Sequence, residues 1–332
     1  MDVPVWVWIA TVGAILAMLA IDYVGHVRTP HAPTLKESTW WSLAYVAVAL
    51  LFGVVVLVVW GPTYGGEYFA GYVTEKSLSV DNLFVFVLIM TSFRVPREHQ
   101  QRVLLIGITI ALVLRTIFIF TGAALIANFA WIFYVFGAFL IWTAVAQARA
   151  GTDHDEEFSE NAVLRLTRRV LPTTDTYVEH RLTTRIDGRR YVTPMLIVMI
   201  AIGSADLLFA VDSIPAIFGL TQETFLVFTA NAFSLLGLRQ LYFLVDGLLD
   251  RLVFLNYGLA AILGFIGVKL VIHALHTNEL PFVNGGEPVH AIPEIPTAVS
   301  LSFIVVVLAI TTIFSLLASR RRQKVLTRDS AA

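Results

Sequence analysis

About nine long apolar segments run through this 332-residue sequence, and they constrain the fold more than any other feature. Each is close to the ~20 residues that a helix needs to cross ~30 Å of hydrocarbon. The segments are apolar on all sides and show no strict alternation, which favours helices over barrel strands. With 57% hydrophobic and 14% charged residues, the chain is predicted to be an all-α polytopic membrane protein. The predicted spans are roughly residues 4–25, 40–60, 67–90, 103–126, 130–149, 193–217, 223–245, 251–274 and 297–318.

The distribution of lysine and arginine predicts how these spans are oriented. Basic residues occur in the loops 26–39, 91–102 and 150–192 and in the tail after residue 318, whereas the loops 61–66, 218–222 and 275–296 contain none. Nine spans place the basic loops on one side of the membrane and these non-basic loops on the other. Because basic loops stay in the cytoplasm, we expect the N-terminus outside and the C-terminus inside a bacterial-type inner or plasma membrane.

Two of the spans share a polar motif. The third span contains Glu75-Lys-Ser-Leu-Ser-Val-Asp81-Asn82, and the sixth contains Asp206-Leu-Leu-Phe-Ala-Val-Asp212-Ser213. The two acids have the same spacing in both, and a Leu-Arg pair follows in the next span of each unit, at Arg115 and at Arg239. The polar residues match as well as the apolar ones, so we interpret the similarity as an internal repeat. Chance resemblance between apolar, aromatic segments is the alternative.

The repeat divides the chain into five predicted regions. They are two N-terminal helices in residues 1–66, a first three-helix repeat in 67–149, a cytoplasmic loop in 150–192, a second three-helix repeat in 193–275, and an outer loop, last helix and basic tail in 276–332. Because each repeat has an odd number of spans, the second copy would be inverted relative to the first. Inverted repeats are the architecture of many secondary transporters, with the binding site between the repeats near the midplane.

The motif acids lie inside the predicted spans. An aspartate at the centre of a membrane helix costs about 2.5–3.5 kcal/mol, so each acid should be paired or should bind a cation. Carboxylate, amide and hydroxyl oxygens together suit a hard divalent cation such as Mg²⁺, Ca²⁺ or Mn²⁺. The candidate metal ligands are Glu75, Asp81, Asn82, Asp206, Asp212 and Ser213. On an ideal helix the first and last residues of each motif share a face, and the second acid lies roughly 120° away.

Static pairing is the alternative role for these acids. Arg115, Arg239 and Lys76 could hold them as fixed counter-ions, and we interpret the two arginines in this way because a cation repels a cation. Asp22, in the first span, could be a ligand or an interfacial residue. Pro215 is expected to interrupt the sixth span beside the second motif acid, which would let ligands from different faces meet one ion.

The sequence lacks the usual signatures of catalysis. It contains no cysteine, which removes thiolate ligands and thiol redox chemistry. No GxxxxGK[ST], GxGxxG after a strand, GxSxG or HExxH motif is present. We therefore expect neither an enzyme nor a bound cofactor. The expected partners are a divalent metal ion and the lipid bilayer. We expect no binding of nucleic acid.

The two acidic motifs, together with Arg94-Val-Pro and Asn231-Ala-Phe, resemble the TerC family of integral membrane proteins. The family includes the Alx-type proteins and is grouped with LysE-like exporters. The resemblance implies Mn²⁺ efflux or homeostasis, with the motif carboxylates along the ion path. The family is named for tellurium resistance, although this chain has no thiol that could reduce a tellurium oxyanion. Some members act with stress proteins or assist maturation of exported proteins, which implies cytoplasmic partners for the 150–192 loop.

The residues and the resemblance together predict an exporter of a divalent cation, with Mn²⁺ as the first candidate. The cation would be the substrate and would pass through an intramembrane carboxylate site. One alternative is a membrane scaffold that does not transport, linked to tellurium or stress resistance or to the maturation of exported proteins. A weaker alternative is an exporter of anions or amino acids that uses Arg115 and Arg239.

Overall fold

The structure is a computed structural model that describes residues 1–24, 34–150, 172–174, 182–186, 189–245, 254–289 and 292–329. The side chain of Asp81 lies outside this description. The described chain is a bundle of long helices with one small hairpin. In order, the helices are α1 (Val5–Asp22), α2 (Leu35–Trp60), α3 (Pro62–Ser92), α4 (Arg97–Asn128), α5 (Ile132–Ala150), α6 (Pro194–Phe218), α7 (Thr224–Leu236), α8 (Leu238–Val245), α9 (Leu255–His276) and α10 (Thr297–Asp329).

Seven helices of the described chain are long and apolar enough to cross a membrane, namely α1, α2, α4, α5, α6, α9 and α10. The prediction of a helical membrane protein is therefore confirmed. The predicted count of nine spans is not confirmed, because the third and seventh predicted spans do not meet the same standard. The third is α3, a helix of 31 residues that contains the first acidic motif. The seventh is divided between α7 and α8.

Gly237 separates α7 from α8. A methyl group on this residue would lie 3.2 Å from Nζ of Lys76 and 3.3 Å from Cβ of Tyr45, so a glycine leaves room for both side chains. The last carbonyls of a helix have no partner within the helix. One of them, that of Ser234, accepts a hydrogen bond from Nζ of Lys76 at 3.0 Å. The break thus gives a charged side chain of α3 a backbone partner on α7.

Pro215 does not interrupt the sixth span, and this prediction is wrong. Helix α6 runs through Pro215 and ends three residues later at Phe218. A proline removes one backbone donor, but so close to the end of a helix the loss affects only the last turn. The carbonyl of Pro215 still accepts a hydrogen bond from the backbone N–H of Gly219 at 2.9 Å. The second motif acid is therefore on a continuous helix.

Small residues allow the helices to approach closely. A methyl group on Gly137 of α5 would lie 2.9 Å from the carbonyl oxygen of Gly267 on α9, and one on Gly267 would lie 3.0 Å from the carbonyl oxygen of Gly137. This reciprocal contact joins α5 to α9, as small residues commonly do between membrane helices. Elsewhere in the bundle, α3 packs on α7 and α4 packs on α6. These four helices carry many of the buried polar residues, including Glu75, Arg115 and Asp206.

The predicted cytoplasmic loop is described only in part. Strands β1 (Thr183–Ile186) and β2 (Arg189–Val192) form an antiparallel hairpin in which Thr183 lies opposite Val192. The hairpin leads directly into α6, which has Pro194 in its first turn. Most of the 150–192 loop lies outside the described residues. The prediction that this loop binds cytoplasmic partners therefore falls on residues that the structure does not describe.

Candidate functional site

Arg115 of α4 is the centre of a buried polar cluster. Its Nε donates to Oδ2 of Asp206 at 2.8 Å and its Nη2 donates to Oδ1 at 3.0 Å, so this ion pair is bidentate. Its Nη1 donates to Oε1 of Glu75 and, at 3.2 Å, to Oγ of Ser213. The side chains of Arg115 and Glu75 are fully buried and Asp206 is only 1% exposed. We refer to these residues, with Asn82, as the Arg115 cluster.

Three helices supply the Arg115 cluster. Glu75 comes from α3 and Arg115 from α4, whereas Asp206 and Ser213 come from α6. Asp206 and Ser213 are seven residues apart and so share a face of α6, as the sequence predicted. The close approach of α4 to α6 depends on small residues, since a methyl group on Gly107 would lie 2.6 Å from Cγ2 of Ile202.

Asn82 bonds to the same guanidinium. With its amide oriented to satisfy both neighbours, its oxygen accepts a hydrogen bond from Nη2 of Arg115 at 3.1 Å and its nitrogen donates to the carbonyl of Leu78 at 3.0 Å. Asn82 is seven residues after Glu75, on the same face of α3. A neutral acceptor therefore accompanies the two carboxylates around Arg115.

The structure brings together four of the six predicted metal ligands, namely Glu75, Asn82, Asp206 and Ser213. Asp212 is only partly buried, and the side chain of Asp81 is outside the description. Glu75 and Asp206, the first acids of the two motifs, are therefore counter-ions of Arg115 in this structure, which is one of the two roles that the sequence left open. Among the residues that the structure describes, no three His, Asp or Glu side chains are arranged to hold a metal ion.

Arg239 of α8 forms a second buried cluster. Its Nη2 donates to Oδ1 of Asp22 at 3.0 Å and its Nη1 donates to Oε1 of Gln101 at 3.0 Å. The amide nitrogen of Gln240 donates to the same oxygen of Asp22 at 3.2 Å. Asp22 is 1% exposed, so it is a buried partner of Arg239. Both arginines are therefore held by acids, as the counter-ion interpretation predicted.

A cavity of about 680 Å³ opens at the end of the bundle where α6 and α9 end. We call it the vestibule. It is lined by acidic, basic and neutral polar side chains, among them Glu67, Thr221, Gln222, Glu223, Lys269, His273 and Glu294. Oε2 of Glu67 accepts a hydrogen bond from Oγ1 of Thr221 at 2.7 Å. The three carboxylates outnumber Lys269 and the α-amino group of Met1, which bonds to Glu223, so the lining has an excess of negative charge.

Polar contacts hold the rim of the vestibule. Nδ1 of His273 lies 2.9 Å from Oε1 of Glu294, and its Nε2 lies 2.7 Å from the amide nitrogen of Gln222. Through these two nitrogens, His273 of α9 is joined to the segment before α10 and to the turn between α6 and α7. The α-amino group of Met1 donates to Oε1 of Glu223 at 2.5 Å, and this hydrogen bond raises the pKa of the amino group.

An apolar layer separates the vestibule from the Arg115 cluster. Gly71 of α3 faces Ile217 and Ala230, and a methyl group on it would make ordinary van der Waals contact with them, at 3.4 Å and 3.5 Å. Glu75 in the cluster follows Glu67 in the vestibule by eight positions, which is about 12 Å along a helix. Every residue of the Arg115 cluster is at most 2% exposed, so the cluster is closed to water from the vestibule.

Sequence reasoning missed Glu67 and Gln101. Both lie at the ends of predicted spans, where polar residues are common and carry no particular signal. Only their partners, Thr221 and Arg239, distinguish them, and these are 154 and 138 residues away in the chain. No spacing rule within one helix could have found contacts of that kind.

The fold and the site define the class of this protein. Membrane-length helices enclose two buried clusters of carboxylates and guanidinium groups, as in integral membrane proteins whose charged residues face the interior of a bundle. The chain belongs to the integral membrane protein TerC family, which matches residues 60–323. The resemblance carried by the acidic motifs is therefore confirmed.

Several relatives match almost the whole chain. The uncharacterized membrane protein Rv2723 of Mycobacterium tuberculosis (strain ATCC 25618 / H37Rv) is 53% identical over 319 residues, covering 95% of this chain and 80% of the relative. The uncharacterized membrane protein STKORF319 of Myxococcus xanthus is 41% identical over 313 residues, covering 94% and 92%. Alx of Escherichia coli (strain K12), described in its name as a candidate membrane-bound redox modulator, is 40% identical over 328 residues, covering 96% of each chain. No solved structure matches.

Proposed function

We propose that this protein is a carrier that exports a divalent cation, with Mn²⁺ as the first candidate, across an inner or plasma membrane. The observation that carries the proposal is that two buried carboxylates, Glu75 and Asp206, share a single guanidinium. Lys76 donates to a backbone carbonyl and not to either acid. Two buried carboxylates with one direct guanidinium partner are costly in lipid and attract a further cation.

An exchange of partners at Arg115 would admit the ion. A metal ion and a guanidinium repel each other, so Arg115 must release a carboxylate before the ion can bind it. The bidentate bond to Asp206 is stronger than the contact of a single nitrogen with Glu75. In this proposal Glu75 is the acid that changes partner. The oxygens of Asn82 and Ser213, with those of Asp81 and Asp212, would complete the ligand set.

The vestibule would be the exit of the pathway. Its acidic lining would hold a hydrated cation that has left the Arg115 cluster, and the layer at Gly71 would close behind it. At the opposite end, the pair of Arg239 and Asp22 would close the cytoplasmic side. The positive-inside rule supports this orientation, with the vestibule on the outer face.

Inverted repeats would allow the two ends to open in turn. In the proposed arrangement, residues 67–149 and 193–275 are related by a two-fold axis in the membrane plane. The packing supports this relation because α3 lies against α7 as α6 lies against α4, and because the contact between Gly137 of α5 and Gly267 of α9 is reciprocal. A two-fold rotation that superposes one repeat on the other would preserve these contacts.

Transport by purified protein in proteoliposomes tests the proposal. We expect flux of Mn²⁺, compared in parallel with Ca²⁺, Mg²⁺, Zn²⁺ and tellurite. Glu75→Gln and Asp212→Asn should each reduce Mn²⁺ flux at least tenfold, whereas the exposed Glu279→Gln should have no effect. If both variants fold normally and carry Mn²⁺ like the unmodified protein, the site is wrong. If the unmodified protein carries none of the four divalent cations, the transport proposal is wrong.

A membrane scaffold without transport is the second candidate. One observation favours it: Arg115 already pairs with both buried acids, as a purely structural ion pair would. The scaffold predicts that deletion within the 150–192 loop abolishes function, whereas Asp212→Asn is tolerated. The redox role in the name of the Escherichia coli relative would need chemistry other than thiol exchange here, because this chain has no cysteine.

A further inference from the structure

Several buried polar atoms near the interface between α3 and α7 have no hydrogen-bond partner in the described chain. They are both amide atoms of Asn231, the hydroxyl of Thr74 and Oε2 of Glu75. Asn231 is 1% exposed, and Thr74 and Glu75 are fully buried. Buried polar groups in folded proteins nearly always have a protein, water or ligand partner. An amide with both ends unpaired inside a membrane bundle therefore indicates a position that another molecule or ion occupies.

The helix contacts place these atoms at the same depth. Gly71 of α3 faces Ala230 of α7, and one or two turns further on Lys76 and Ser79 bond to Ser234. The two helices therefore run in the same direction, and residues 71–79 lie beside residues 230–234. Asn231 is inside this stretch of α7, at the level of Thr74 and Glu75. Three helices thus meet here, because Glu75 also reaches Arg115 of α4.

We propose that Thr74, Glu75 and Asn231 form a cation subsite between α3 and α7, beside the Arg115 cluster. This inference rests on the proposed export of a divalent cation and names where that ion loses part of its hydration shell. One carboxylate, one amide and one hydroxyl oxygen are ligands that hard divalent cations prefer. Mg²⁺ and similar small ions keep several waters, so three protein ligands are sufficient.

Glu75 would link the subsite to the Arg115 cluster. Its Oε1 bonds to Arg115, whereas its Oε2 has no hydrogen-bond partner in the part of the chain that the structure describes. A cation on Oε2 would weaken the attraction between Glu75 and Arg115 without first displacing the guanidinium. Lys76, which donates to Ser234, would repel the ion from the α8 side, so the ion would occupy the side towards Gly71.

Binding of Mn²⁺ to the purified full-length protein, measured from the loss of the free-ion EPR signal, tests the subsite. The variants are Asn231→Leu and Thr74→Val, which keep the side-chain size but remove the unpaired polar groups. The matched control is Thr229→Val, because Thr229 is equally buried on α7 but its hydroxyl donates to the carbonyl of Phe225 at 2.8 Å within its own helix. We expect each subsite variant to weaken Mn²⁺ binding at least tenfold and the control to change it less than twofold. Asn231→Asp should bind as tightly as Asn231 or more tightly.

The outcomes separate this inference from the proposed function. If the unmodified protein binds and transports Mn²⁺ while Asn231→Leu and Thr74→Val bind it normally, the subsite is wrong and the export proposal stands. An increase in Tm of the metal-free variants with unchanged Mn²⁺ affinity would show that the amide and the hydroxyl had no ligand. If Asn231→Leu fails to fold, the Mn²⁺ affinity of Thr74→Val tests the subsite by itself. If the unmodified protein does not bind Mn²⁺ and carries none of Mn²⁺, Ca²⁺, Mg²⁺ and Zn²⁺, both proposals fail.

Discussion

Arg115 and Asp206 are joined by two hydrogen bonds, 2.8 Å and 3.0 Å long, across the interface between α4 and α6. The pair joins two helices that are 91 residues apart in the chain. Both side chains are buried, so neither can exchange its partner for water. The pair therefore fixes the relative position of α4 and α6, and any movement of an ion through the cluster must take place around it.

Arg115→Ala should destabilise the protein by about 3–5 kcal/mol, because it leaves two buried carboxylates without their cation. Arg115→Lys should be intermediate, since lysine keeps the charge but cannot bond Asp206 through two nitrogens. Thermal unfolding of the purified protein in detergent measures the effect. Arg190→Ala, on the exposed surface of β2, is the control and should change stability by less than about 0.5 kcal/mol. Equal Tm values for Arg115→Ala and Arg190→Ala would contradict this role.

Asp22→Asn should lower stability and open the end of the bundle near α8. The substitution removes the charge that Arg239 and Gln240 share, and leaves a buried guanidinium with neutral partners only. We expect a loss of about 3 kcal/mol, as for other buried ion pairs that lose one partner. Thermal unfolding is the measurement, with the exposed Lys36→Gln as control. A Tm unchanged by Asp22→Asn would mean that Arg239 is sufficiently stabilised by Gln101.

Gly137→Ala should be destabilising, whereas Gly13→Ala should be tolerated. A methyl group on Gly137 would lie 2.7 Å from Val271 and 2.9 Å from the carbonyl of Gly267, but one on Gly13 would have no neighbour within 4 Å. Overpacking of this kind costs about 1–3 kcal/mol. The two variants make the same chemical change, so a difference in Tm or in folded yield reports the packing of α5 on α9. Equal effects would show that the two helices can separate without cost.

The vestibule and the Arg115 cluster should differ in their access to water. Because the chain has no cysteine, single cysteines can be introduced without background labelling. Glu223→Cys should react with a membrane-impermeant thiol reagent added outside intact cells, whereas Ser213→Cys should not. Glu223 lines the vestibule, and Ser213 is buried behind the apolar layer. Labelling of Glu223→Cys only from the cytoplasmic side would reverse the proposed orientation, and rapid labelling of Ser213→Cys would contradict the closed layer.

The sequence predicted most of the helices because the bilayer imposes a simple requirement on length and hydrophobicity. Its failures have local causes. The span over residues 223–245 is divided at Gly237, where Lys76 of another helix supplies a partner for a carbonyl. Pro215 leaves α6 intact because it lies three residues from the helix end. In both cases the outcome depends on where backbone groups find partners, which hydropathy does not report.

The sequence by itself determined that the protein is a bundle of membrane helices, which residues are polar within it, and that the two acidic motifs have the same spacing. These properties follow from the cost of polar groups in hydrocarbon and from the period of the α-helix, which are local. The tertiary structure alone decided that Arg115 takes the first acid of both motifs and that Arg239 takes Asp22. It also decided that the Asn231 amide has no hydrogen-bond partner among the residues that the structure describes. Pairing between residues about 40 to 220 positions apart depends on how the helices pack, because one guanidinium can satisfy only the acids that packing brings within hydrogen-bond distance.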